Sequence, residues 1–395
     1  MSTPERVFLI QKSNNLSFIT TGLALFSMFF GAGNLIFPLL IGRSVGDNVW
    51  FAIIGLGLTA VFIPFLGLAV MVLFQANYYH FFGRIGKIPG MLLLLLLQFI
   101  LGPFGVIPRL ITLMHAMAMP YLHDMSLISF SGLIAVVLFG CSFKRDLLIR
   151  FLGIILTPVL ILSLAALEVS GLMRASELSP SVFSSKDSFL HGLLGGYNTM
   201  DLIAAFLFAT VVLPHFQKEM KLDHPEEKRR LIMKKLFFSS LIAAPLLLFT
   251  YIGLAFLAAQ KKFDFSCPPE QLFSSIAREL LGSFGVVIAV VTVITACLTT
   301  AMTLVSIFSD YLRKDLCKEK IGPTSALVIT IAIATLFATL GFQEIAAFLS
   351  PILQIVYPGL IVLTVLNLLN FLYSWKRVKV PVFFVFAVSF IVYLS

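Results

Sequence analysis

The chain is cut into apolar runs, most of about twenty residues or more, separated by short charged or turn-rich stretches. About 20 apolar residues in a helix cross a hydrocarbon core roughly 30 Å thick, whereas the strands of an outer-membrane barrel read as alternating segments of about ten. The runs near 16–42, 49–76, 88–117, 126–143, 147–172, 190–217, 236–259, 281–309, 323–342, 345–372 and 380–395 therefore predict an all-α integral membrane protein of about eleven transmembrane helices. Composition agrees. With 59% hydrophobic and 12% charged residues and a mean hydropathy of +1.01, a water-soluble globular enzyme is excluded. The first run, from Leu16 to Gly42, is too long for a signal-peptide core and ends in no small-x-small cleavage signal, so it reads as a retained span. Cys141, Cys267, Cys297 and Cys317 stand at least twenty residues apart and form neither a disulfide framework nor a zinc motif.

The net charge of +9 would suggest nucleic acid in a soluble chain, but between membrane spans it reports topology, and no nucleic-acid partner is expected. With the N-terminus in the cytoplasm, 21 Lys and Arg fall on the inner side and 6 on the outer, which sets the orientation and supports the span list. The longest charged stretch, Lys218 to Lys235, reads as a cytoplasmic loop helix held by topology, with an anionic-lipid patch or a regulatory partner site as the alternatives. No stretch suffices for a separate soluble domain, so 1–395 is one membrane domain in a cell membrane.

Two spans carry residues that lipid would punish. Phe30-Gly31-Ala32-Gly33-Asn34 lies midway along the first, with Pro38 a turn later; Leu194-Gly195-Gly196-Tyr197-Asn198-Thr199-Met200-Asp201 opens the sixth. Clustered glycines and Asn favour unwinding, and bare backbone at membrane depth is tolerated only where it lines a cavity or is covered by protein. Five spans separate the two, an odd offset that places two five-span units in opposite orientations. Interrupted helices at matching places in inverted halves point to a secondary transporter's site. The same glycines would also serve close helix packing, and the sixth span could instead begin at Thr199. Asp201, an acid below the headgroups, could bind an ammonium group, a proton or sodium, or cap the second half-helix. Arg109 follows Pro103 and Pro108 and is expected to be structural or gating. No GxSxG, HExxH, GKS/T or DFG-like element occurs, so enzyme activity is not expected.

Four segments together resemble the branched-chain amino acid:cation symporters: Phe30 to Pro38, Gly102-Pro-Phe-Gly-Val-Ile-Pro-Arg109, Gly196-Tyr-Asn-Thr-Met-Asp201 and Ala296-Cys-Leu-Thr-Thr-Ala301. The resemblance implies the five-plus-five inverted repeat of the leucine-transporter fold, with broken helices 1 and 6. The first repeat covers 16–172 (helices 1–5), the second 190–372 (helices 6–10), and 380–395 is an extra helix. Usual members carry a twelfth span, outside both repeats. The implied function is import of leucine, isoleucine or valine with sodium across a bacterial inner membrane.

Carried over position by position, the resemblance puts the substrate carboxylate at an unwound Gly31, Ala32, Gly33 and Asn34 and the ammonium near Tyr197, Asn198, Thr199 and Asp201. It gives sodium as coupling ion two sets of ligands: Asn34 for one ion, and for a second the carbonyls of Ser27, Phe30 and Ala296 with the hydroxyls of Thr299 and Thr300. From the residues alone, Thr299 and Thr300 would more commonly bond back to their own helix. No other cofactor is implied. Competing readings are a proton-coupled transporter of another small apolar amino acid, an ion channel, and a non-transporting sensor.

Overall fold

The computed structural model describes residues 18–121, 125–142, 157–174, 176–218, 225–261, 263 and 267–394. Without water, every backbone N–H and C=O must be paired inside the protein, so apolar runs of this length are obliged to coil. Among the described residues the chain is helical between short connections, with one isolated bridge between Leu178 and Gln260.

The first run folds as α1 (Phe18–Phe29) and α2 (Ala32–Val45), parted at Phe30 and Gly31. The second is α3 (Val49–Gly57), a π turn (Leu58–Phe62) and α4 (Ile63–Leu73), followed by a short α5 (Tyr78–Phe82). The third run, expected as one kinked span, is two helices, α6 (Lys87–Leu101) and α7 (Val106–Ala118). Gly102 to Gly105 between them leave helical geometry, because Pro103 offers no N–H and glycines flank it.

α8 (Leu127–Ser142) and α9 (Thr157–Met173) follow; 147–156 of the fifth run lies outside the described residues. The sixth run is α10 (Ser185–Thr199) and α11 (Asp201–Lys218), and α10 starts earlier than expected because Ser184 caps it, its hydroxyl accepting the N–H of Asp187 at 3.2 Å. The seventh also starts early. α12 (Pro225–Ala258) continues the charged loop without interruption, Glu226 and Glu227 in its first turn favouring the positive helix end. Residues 219–224 of that loop lie outside the described set. α13 (Leu272–Tyr311) bends at Gly282, whose φ of 63° is left-handed. α14 (Pro323–Ala338), α15 (Phe342–Tyr373) and α16 (Lys379–Leu394) complete the chain.

Six stretches of the described residues are long and apolar enough to cross a membrane: Ala32–Leu73, Lys87–Ala118, Ser185–Gln217, Glu226–Ala258, Pro269–Leu316 and Phe342–Tyr373. The protein is thus a multi-pass, all-α membrane protein. Lipid tails are as apolar as Leu, so helices gain by close backbone approach rather than by hydrophobic exclusion. α3 and α10 meet this way: a Cβ on Gly192 would stand 1.8 Å from the Ala52 carbonyl oxygen, and one on Gly55 2.2 Å from that of Phe189. Thr59 adds a cross-helix bond, its hydroxyl donating to the Leu193 carbonyl at 2.9 Å. This seam sets α10, and the break at its end, against the core.

Candidate functional site

A helix that stops inside a protein leaves its last carbonyls without N–H partners. α1 stops at Phe29, and hydroxyls from α13 take the orphans: Thr299 Oγ1 donates to the Ser27 carbonyl at 3.0 Å, and Thr300 Oγ1 approaches those of Met28 and Phe30 at 3.3 Å each. Thr299 also back-bonds to the Ala296 carbonyl at 2.8 Å, so the local use and the cross-helix use coexist in one side chain. Thr299 thereby meets the Ser27 and Ala296 carbonyls and Thr300 those of Met28 and Phe30, so the five expected oxygens, all uncharged, meet at two adjacent hydroxyls. Oxygen-only clusters suit hard cations.

Beyond the break the expectation needs correction. Only Phe30 and Gly31 are non-helical; Ala32, Gly33 and Asn34 form the first turn of α2. The reason lies in Asn34, whose Oδ1 accepts the Gly31 N–H at 3.1 Å and so starts the helix with its own side chain. First-turn N–H groups have no intrahelical acceptor, so donors remain at this point even though the turn is coiled. Glycine is required at position 33 by proximity, since a Cβ there would lie 2.7 Å from Arg109 Nη2 and 3.0 Å from the Thr199 Cα.

The second break also differs from expectation. Gly195 and Gly196 stay helical, and a Cβ on Gly196 would be 2.0 Å from Thr59 Oγ1, so this glycine admits the neighbouring helix. The interruption is a single residue, Met200, at φ 64°, ψ 18°. Thr199 closes α10, its hydroxyl donating to the Gly196 carbonyl at 2.8 Å. Asp201 opens α11, and its Oδ2 accepts Asn34 Nδ2 at 2.6 Å and the Tyr251 hydroxyl at 3.2 Å. Asn34 Nδ2 also donates to the Tyr251 hydroxyl. The N–H of Leu202, next along α11, is taken by the Tyr357 hydroxyl at 2.9 Å.

Asn34 and Asp201 are thus brought together, with Gly33 against Thr199. Tyr197 is buried and stacks on Tyr357 with ring centroids 4.7 Å apart. The side chain of Asn198 is not brought in: its amide donates back along α10 to the Leu194 carbonyl at 3.4 Å, and only its own carbonyl faces the breaks, accepting from Arg109. Tyr251 of α12 and Tyr357 of α15 are parts of the site that sequence reasoning missed. The available signal was a phenol inside an apolar run, where the hydroxyl must find a partner.

A third interruption, Gly102 to Gly105, completes the arrangement. Arg109 sits in α7 just past it, with its N–H on the Gly105 carbonyl at 3.1 Å, and is only 2% exposed. Its Nη1 and Nη2 both point to the Asn198 carbonyl at 3.3 Å, and the Phe37 ring lies 5.5 Å from Cζ. Three broken helices therefore converge on one buried polar centre.

Comparison with known proteins bears on this architecture. Residues 14–395 match the family model of the branched-chain amino acid transport protein. A Staphylococcus aureus (strain bovine RF122 / ET3-1) chain assigned by name as a branched-chain amino acid carrier is 30% identical over 390 residues, covering 93% of this chain and 86% of its own. Among solved structures, MhsT in complex with L-phenylalanine aligns with a TM-score of 0.54 at 13% identity, over 94% of this chain and 98% of its own. A substrate-bound, outward-open Na+-coupled sialic acid symporter aligns with a TM-score of 0.55 at 12% identity, over 95% of this chain and 88% of its own. The fold is that of the leucine transporter, broken helices included, and it serves transport rather than enzymatic catalysis. By the match over nearly its whole length, the chain belongs to the branched-chain amino acid transport protein family.

Proposed function

We propose that the protein imports leucine, isoleucine or valine with sodium by alternating access. It would lie in the cell membrane with its N-terminus in the cytoplasm, a reading that the Lys and Arg distribution supports. In this reading 16–172 and 190–372 are the two inverted repeats of one domain, with 380–395 outside them. One observation carries the proposal: the α13 hydroxyls of Thr299 and Thr300 meet the Ser27 and Phe30 carbonyls at one side of the α1–α2 break, and Asn34 meets Asp201 at the other, so an ion site and a zwitterion site would share that one break. The Na+-coupled symporter and the amino-acid complex among the structural relatives support it.

Sodium at the five oxygens would tie α1 to α13, and an amino acid would tie α2 to α10 and α11. Each ligand favours the state in which the other's site is formed, and this mutual stabilisation is the coupling. The test is labelled leucine uptake into proteoliposomes with Na+ and H+ gradients imposed separately. Uptake driven by Na+ alone is the expected result. Uptake driven only by H+ would transfer coupling to Asp201, the one carboxylate on the bridge, and current without substrate would indicate a channel.

A further inference from the structure

Arg109 is a buried cation whose donors are largely unspent. Guanidinium carries five N–H donors in a rigid fork and does not deprotonate, so inside a membrane it must meet negative charge or oxygen. Here the two terminal nitrogens share a single carbonyl, that of Asn198, both at 3.3 Å, and Nε has no partner. Among the described residues no carboxylate forms an ion pair with it. Asp201, on the neighbouring helix end, gives its Oδ2 to Asn34 and Tyr251. The Phe37 face compensates only partly, since a cation–π contact is worth about 0.5–2 kcal/mol.

The position is also informative. Nη2 lies where a Cβ of Gly33 would come within 2.7 Å, so the fork stands against the first turn of α2, whose N–H groups lack intrahelical acceptors. The next residue of that turn is Asn34, whose amide donates to the Asp201 carboxylate at 2.6 Å. Positive charge and backbone donors thus stand at Gly33 and negative charge at the adjacent Asn34. A zwitterion needs both.

We propose that Arg109 is the receptor for the substrate carboxylate, binding it together with the first-turn N–H groups of α2. The assignment rests on the amino-acid reading above and adds the residue that makes the site selective for acids over their uncharged analogues. Arg109 replaces the structural or gating role expected from sequence, and the break at Gly102 to Gly105 is what places it. A carboxylate on the fork would make charge-assisted bonds, the strong class, with a planarity that Lys does not match.

The same donors would hold a free halide, so the experiment separates the two sources. Equilibrium binding of leucine and of leucinamide is measured on the purified full chain, wild type, R109Q and R109K, with chloride present or replaced by methanesulfonate. Thermal melting reports folding. Losing a charge-assisted pair corresponds to about a hundredfold in affinity, so R109Q is expected to weaken leucine by about that factor and leucinamide by less than about threefold. R109K, which keeps charge but loses the fork, is expected to weaken leucine about tenfold, and it decides the matter if R109Q fails to fold.

Equal weakening of both ligands would overturn the proposal and leave Arg109 as a prop for Asn198. So would leucine affinity in R109K and R109Q unchanged from wild type. Leucine affinity that depends on chloride in the wild type and not in R109Q, with acid–amide discrimination unchanged, would assign the site to a halide instead. Should the wild type bind no branched-chain amino acid, the function proposed above fails by itself, and the acid and amide of alanine and phenylalanine then decide Arg109 by the same comparison.

Discussion

The side-chain amide of Asn34 donates to the carboxylate of Asp201 across 2.6 Å, joining the first turn of α2 to the first turn of α11. The two residues are 167 positions apart in the chain and each sits one or a few residues past a helix break. Tyr251 touches both, so the link is a triangle of three side chains from three helices.

That triangle separates charge from shape at Asp201. D201N keeps an oxygen for one donor but removes the charge, and we expect uptake to fall by about tenfold or more at near-normal expression. D201A leaves Asn34 and Tyr251 without their acceptor, a cost of about 1–3 kcal/mol, so it should also melt at lower temperature than D201N. Full uptake by D201N would remove the charge from the mechanism.

Gly33 has no room for a methyl group. In G33A the new Cβ would press on Arg109 Nη2 and on the Thr199 backbone, which cannot rotate away. Overpacking of this kind costs about 1–3 kcal/mol, and we expect G33A to lose most leucine binding while G132A, where nothing lies within 4 Å of the new methyl, binds as wild type. Wild-type binding by G33A would mean that α2 and α10 are not held this closely.

For the oxygen cluster, T299A combined with T300A should raise the half-saturating Na+ concentration by about tenfold while leaving leucine affinity at saturating Na+ within about threefold. The ion loses its ligands directly, and the substrate feels the loss only through linkage. Unchanged sodium dependence would confine Thr299 and Thr300 to bonding the carbonyls of Ser27, Met28, Phe30 and Ala296.

Packing between α3 and α10 gives a prediction independent of transport. G192A would drive a methyl group to 1.8 Å from the Ala52 carbonyl oxygen and should destabilise the purified protein by about 1–3 kcal/mol, read as a fall in melting temperature. Gly132 lies exposed in α8, where Gly→Ala in a helix gains up to about 1 kcal/mol, so G132A should melt at or above the wild-type temperature. Equal melting of the two variants would contradict the seam.

The break in the first span was legible because Gly31 and Gly33 stand together with Asn34 in an otherwise apolar run. Its extent was not, because Asn34 restores the helix through a bond to its own backbone that composition does not reveal. In the sixth span the glycines misdirected the reading: Gly195 and Gly196 are helical, and Met200, with no feature of a breaking residue, takes the left-handed conformation. Tertiary partners hold it there, since Leu202 is bound by Tyr357 of α15 and Asp201 by Tyr251 of α12. Such contacts link residues 155 and 50 positions apart and leave no local trace. That Thr299 and Thr300 would face the end of α1 was legible only through the family resemblance, since intramembrane threonines ordinarily bond back to their own helix. The break beside Arg109 was half legible, its prolines suggesting a bend where the chain in fact uncoils.

The glycine seam between α3 and α10 and the hydroxyl contacts between α1 and α13 differ in what can replace them. Backbones in near contact cannot slide or part without opening a void that lipid and water both fill poorly, so α3 and α10 must travel as one body whenever the protein changes shape. Threonine hydroxyls on orphan carbonyls can be exchanged for an ion or for water at little loss, so the contact between α1 and α13 is the easier of the two to open. If the protein works by alternating access as proposed, it would be welded along one helix pair and latched along another, and a disulfide placed across the first pair should leave uptake intact while one across the second should stop it.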